Sequence, residues 1–126
     1  MKKIIFFAVA LFALVACKTG LTQVNDVSVT QFERFIQQND VQLVDVRTPE
    51  EFAEGHIKGA ININVKDANF VASAEKQLRK SKPVAVYCRS GKRSAMACAL
   101  LKAKGFKTTN LLGGILGWQS EGKAVE

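Results

Sequence analysis

The chain has 126 residues, 18 Lys and Arg against 11 Asp and Glu, and a formal net charge of +7. That length supports one hydrophobic core and not two, and the lysines are scattered without an aromatic-interleaved stripe, which argues for small anions and against nucleic acid as partners. A single histidine and three cysteines, with no CxxC or zinc-like spacing, leave no ligand set for a metal centre, and no cofactor is expected.

Lys2 and Lys3 precede 13 apolar residues, Ile4 to Ala16, which end at Cys17. A membrane-spanning helix needs roughly 20 residues, so the run reads as a removable export signal. Its end, Leu14-Val15-Ala16-Cys17, resembles the bacterial lipobox, whose cysteine is lipidated and becomes the mature N-terminus. The chemistry needs a thiol to alkylate and a small residue at the cleaved bond, and both are present. The resemblance implies a signal peptide over 1–16, a lipidated Cys17 with a tether over 17–25, and a folded domain over 26–126. It implies an exported bacterial lipoprotein, held at a cell-envelope membrane by the Cys17 lipid and facing the periplasm. Without residues 1–16, about 110 residues and a net charge of about +5 remain.

Strand and helix patterns then alternate. Residues 26–29 suggest a short strand. Residues 30–39 suggest a helix with Phe32, Phe35 and Ile36 on one face and a Thr30/Glu33 capping box. Residues 42–46 form an apolar, β-branched strand. Thr48, Pro49 and Glu51 have the spacing of an N-cap, first-turn proline and capping box, and Gly55 stops that helix. A short strand over 60–63, a helix over 67–80 and a strand over 84–87 follow. A helix over 94–104 ends at Gly105, a strand spans 108–112, and Gly113-Gly114 turns into a closing helix around Trp118. Alternation of this kind predicts an α/β fold with a mainly parallel sheet of about five strands, flanked by helices on both faces. Reactive groups in such folds gather beyond the carboxyl ends of the strands, where Cys88 lies.

Tyr87-Cys88-Arg89-Ser90-Gly91-Lys92-Arg93-Ser94 carries the chemistry. A cysteine leaves a buried strand, a small polar loop with a glycine follows, and a helix begins at once. Loop amides and the helix N-terminus then point toward the sulfur, and Arg89, Lys92 and Arg93 add charge. Such surroundings favour the thiolate, which is the nucleophile, without a histidine base. The reading requires amides aimed at the sulfur and a sulfur that solvent can reach.

Leu43-Val44-Asp45-Val46-Arg47, Glu50-Glu51-Phe52 and Gly55-His56-Ile57-Lys58-Gly59-Ala60 resemble the N-terminal signature of the rhodanese family. Residues 88–93 resemble its active-site loop, and Leu112-Gly113-Gly114 with Trp118 its C-terminal signature. The resemblance implies a single rhodanese-like domain with sulfurtransferase activity. Cys88 would take sulfur from an anionic donor such as thiosulfate, hold it as a persulfide, and pass it to cyanide or a cellular thiol. Arg89, Ser90, Gly91, Lys92, Arg93 and Ser94 would bind the substrate, their amides cradling the persulfide while Arg89 and Arg93 draw in the donor. A sulfur carrier or sensor that delivers only to a dedicated partner shares Cys88 and stays open. Related phosphatases place five residues between cysteine and arginine; here Cys88 and Arg93 enclose four, a loop better matched to sulfur than to phosphate.

Asp45 and Arg47 are expected to brace the loops by charge-assisted hydrogen bonds, and His56 to bond backbone in a turn. Cys98 reads as a small buried hydrophobe, not a disulfide partner of Cys88, because bridging needs Cα atoms within about 7 Å. Gly113-Gly114 lacks the GxGxxG spacing and reads as a turn that lets backbone approach the loop. The protein is expected to be a monomer.

Overall fold

The computed structural model describes residues 25–126. The expected signal peptide, Cys17 and nearly all of the expected tether lie outside those residues. Ten elements alternate without exception: β1 (Asn25–Val27), α1 (Val29–Ile36), β2 (Gln42–Asp45), α2 (Pro49–Glu54), β3 (Ile61–Asn62), α3 (Phe70–Gln77), β4 (Val84–Tyr87), α4 (Lys92–Ala103), β5 (Thr108–Leu111) and α5 (Gly114–Ser120). The five strands pair in the order β1-β5-β4-β2-β3, and every pairing is parallel. The α/β architecture expected from the alternation is the one observed.

Strand periodicity sorts the core. Along β4, Val84 and Val86 face one way and Ala85 and Tyr87 the other, all fully buried. The first face packs with Phe70, Ala74, Ala97, Cys98 and Leu101 of α3 and α4. The second packs with Val29 and Phe32 of α1 and Ile115 and Trp118 of α5. Cys88 continues the alternation of β4 and falls on the α3/α4 side.

Several boundaries differ from the sequence pattern, each for a local reason. Asn25, expected in the tether, opens β1 by pairing with Thr109. Helix α1 is capped at Ser28 rather than Thr30: the Gln31 amide donates to Ser28 Oγ at 3.2 Å and the Ser28 amide to Gln31 Oε1 at 3.0 Å. Starting there lets Val29 and Phe32 bury together. Helix α3 begins at Phe70, not 67, because the Asn69 amide is taken by Asp67 Oδ1 at 3.0 Å, a local turn that competes with the helix. It ends at Gln77 because Leu78 is extended and the Arg79 amide donates to Gln42 Oε1 at 2.8 Å. Helix α2 follows the pattern in full: Thr48 caps, Pro49 opens, Glu51 closes the box, and Gly55 ends it.

Candidate active site

Cys88 stands one residue beyond β4, between its two parallel neighbours. Gly91, at φ +109°, turns the chain directly into α4, which starts at Lys92 instead of 94. That early start places Ser94 in the first turn, fully buried beneath the loop. The Gly91 amide donates to Cys88 Sγ at 3.1 Å and the Ser94 hydroxyl at 3.3 Å. The same hydroxyl lies 3.1 Å from the Gly91 carbonyl oxygen. One proton cannot serve both acceptors fully, and an ionised sulfur is the stronger of the two.

Burial pushes the Cys88 thiol up. The Ser94 hydroxyl and the amides of Ser94, Gly91 and Ser90 outweigh it, so the thiol is held below its ordinary value. The amide requirement is met. Solvent access is another matter: Cys88 is only 1% exposed, on the floor of the loop and not at its rim. Arg89, Ser90 and Lys92 are exposed above it. The expected exposure of the sulfur is therefore not observed, and any reagent that meets it must be slender.

A second backbone supports the loop from below. The Ile115 amide donates to the Cys88 carbonyl at 2.9 Å and the Leu116 amide to the Arg89 carbonyl at 3.2 Å. Gly114 makes this approach possible: a Cβ there would lie 2.3 Å from the Arg89 carbonyl oxygen and 2.6 Å from that of Cys88. The Gly-Gly pair is a turn for close backbone contact, as its spacing suggested.

The charged residues divide into separate roles. Arg93 does not face the donor site as a free cation. Its Nη1 and Nη2 donate to the two Glu51 carboxylate oxygens at 2.8 and 2.9 Å, which ties α4 to α2. Arg93 and the Thr48 cap hold the Glu51 carboxyl down at about 2. Asp45 and Arg47 form a buried pair, with Arg47 Nε at 2.9 Å and Nη2 at 2.6 Å from the carboxylate, and Nη2 also reaches the Gly55 carbonyl at 2.7 Å. That is a bracing role. Tyr87 adds to it by accepting the Ile57 amide at 3.0 Å. His56 stacks on Phe52, places Nδ1 3.0 Å from the Phe52 carbonyl, and exchanges backbone hydrogen bonds with Glu126.

Cys98 is fully buried, free, and pushed up to about 12 by burial. It is a core residue. Sequence reasoning missed the Ser94 hydroxyl and the Glu51 carboxylate. Ser94 was noted only for its amide, and the Glu51 contact spans 42 residues, so no short-range pattern announces it.

Residues 28–121 match the sequence profile of the rhodanese-like domain. The chain belongs to the rhodanese-like domain family. Its domain is 38% identical over 94 residues to a sulfurtransferase of Allochromatium vinosum, covering 74% of this chain and 85% of that one. It is 37% identical over 89 residues to thiosulfate sulfurtransferase GlpE of Pseudomonas aeruginosa, covering 69% and 77%. Among solved structures it is similar to a rhodanese-related protein of Thermoplasma volcanium, with a TM-score of 0.71, 30% identity, and 81% and 97% of the two chains covered. The five-stranded parallel sheet is thus that of a single rhodanese-like domain.

Proposed function

We propose that the protein is a sulfurtransferase that moves sulfane sulfur through a persulfide on Cys88, with thiosulfate or a similar anion as donor. The family and the relatives named sulfurtransferases support the general activity. The observation that carries the mechanism is the Cys88 sulfur receiving the Gly91 amide and the Ser94 hydroxyl at the mouth of a parallel sheet. The Cys88 thiolate attacks the outer sulfur of thiosulfate, the donor's S–S bond breaks, and sulfite leaves with the electron pair. The resulting persulfide anion lies among the loop amides, which stabilise its charge without reorganising. Attack by cyanide or a thiolate on the outer sulfur then breaks the bond to Cys88 and restores the thiolate. Arg89 and Lys92, both exposed at the rim, draw the dianion toward a recessed sulfur.

Thiosulfate with cyanide should yield thiocyanate, and Cys88→Ser should abolish it. Equal rates from both proteins would overturn the catalytic assignment. A second reading, a carrier that unloads only onto a dedicated partner, is favoured by the 1% exposure of Cys88. Mass spectrometry and the thiocyanate assay together decide between them: both readings add one sulfur to Cys88, and a carrier does so with little turnover. We further propose that Cys17 carries the lipid that anchors the exported protein; Cys17→Ala should release it from membranes, and retention would refute the anchor.

A further inference from the structure

Beside the active-site loop lies a cavity of about 240 Å3. Cys88 does not line it, but its neighbour Arg89 does, together with Arg47 and Glu54, and with Leu116 and Gln119 of α5. Its lining carries charges of both signs. Arg89 and Glu54 have no ion-pair partner among the described residues, although they line the same small space. Arg47 is 6% exposed, and its Nε and Nη2 are taken by Asp45 and Gly55. Its Nη1 has no hydrogen-bond partner among the described residues and is not itself fully buried, and Arg47 lines the cavity. Nη1 is therefore a donor that keeps some contact with solvent and is open to an acceptor.

A simple anion in this space would meet the Glu54 carboxylate, and a simple cation would meet Arg89. A ligand carrying both charges answers both. We propose that the cavity holds the α-amino-acid head group of a low-molecular-weight thiol that accepts the sulfur. Its carboxylate lies on Arg47 Nη1 and Arg89, and its ammonium on Glu54. Leu116 supplies an apolar wall for the methylenes, and the Leu116–Arg89 backbone bond keeps that wall against the loop. This assignment rests on the sulfurtransferase reading above and specifies its acceptor. The acceptor thiolate attacks the outer sulfur of the Cys88 persulfide, the bond to Cys88 breaks, and its electron pair returns to the Cys88 thiolate. No oxidant or reductant is needed.

The test uses the full chain, isotope-labelled, titrated with S-methylcysteine, which has the head group but no thiol to react. Saturable shifts are expected at the amides of Gly55, Arg89, Leu116 and Gln119, with binding weakened at least about fivefold in Glu54→Gln and Arg89→Ala. Acetate should give neither the same shifts nor the same sensitivity to Glu54→Gln. In turnover, Glu54→Gln should lower kcat/KM for cysteine relative to 2-mercaptoethanol by a similar factor. Absence of shifts at those amides overturns the proposal, as does acetate matching S-methylcysteine. Since S-methylcysteine cannot take sulfur, this result is separate from the thiocyanate assay, which tests the activity itself.

Discussion

Replacing Gly114 by alanine tests how far the loop around Cys88 depends on the backbone beneath it. Two costs are separable. Gly114 has φ +58°, and an L side chain in the left-handed region costs roughly 1–2 kcal/mol. The new Cβ would also stand 2.3 Å from the Arg89 carbonyl oxygen and 2.5 Å from its carbon, both backbone atoms, inside the 3.0 Å that real Cβ contacts respect. The loop must therefore move, and the Ile115–Cys88 and Leu116–Arg89 hydrogen bonds stretch or break, at about 1 kcal/mol each. The sum is about 3–4 kcal/mol, a large part of the stability of a small domain. Gly122→Ala is the control, because Gly122 has φ +79° but nothing within 4 Å of its added Cβ. It should lose only the backbone part, about 1–2 kcal/mol. Urea unfolding of the two variants gives the difference directly. The pH dependence of Cys88 alkylation by iodoacetamide gives the second readout, since displaced amides stabilise the thiolate less and the midpoint should move up. If Gly114→Ala is no less stable than Gly122→Ala and leaves that midpoint in place, the close approach does not support the site.

Ser94→Ala removes the hydroxyl that donates to the sulfur, so the alkylation midpoint of Cys88 should rise and sulfur transfer at neutral pH should fall roughly tenfold; an unchanged midpoint would show that the amides suffice. Cys98, buried and pushed up to about 12, should resist iodoacetamide in the folded Cys88→Ser protein and react only in urea; rapid labelling without denaturant would contradict its place in the core. Glu51 is held at about 2 against an unfolded value near 4.5, so its stabilisation is complete above that unfolded value and is lost as pH falls toward 2. Glu51→Gln should therefore cost about 1–2 kcal/mol at neutral pH, after allowance for solvent screening of a partly exposed pair, and flatten the acid side of the stability profile; identical acid profiles would remove the Glu51–Arg93 pair from the account.

Much of the fold was legible because its signals are local. Thr48, Pro49 and Glu51 lie within one helical turn of one another, and the alternation along β4 is a property of four consecutive residues. The placement of Cys88 after a buried strand and before a glycine and a helix needed nothing from the rest of the chain. Helix ends were less legible where distant or competing donors intervene, as when Gln42 captures the Arg79 amide across 37 residues. They were least legible where two local patterns compete, as Ser28/Gln31 and Thr30/Glu33 do at the start of α1.

The chain alone determined that Cys88 would meet amides at a strand end, since strand, loop and helix are contiguous and Gly91 permits the turn. Tertiary structure decided how that cysteine is served. Packing sank the sulfur to the loop floor, put the Ser94 hydroxyl against it, and drew Arg93 away to Glu51. It also gathered Arg47, Glu54, Arg89 and Gln119 around one cavity, from four separate parts of the chain. Short-range patterns set backbone direction, but the partner of a long side chain depends on which elements the sheet order brings together.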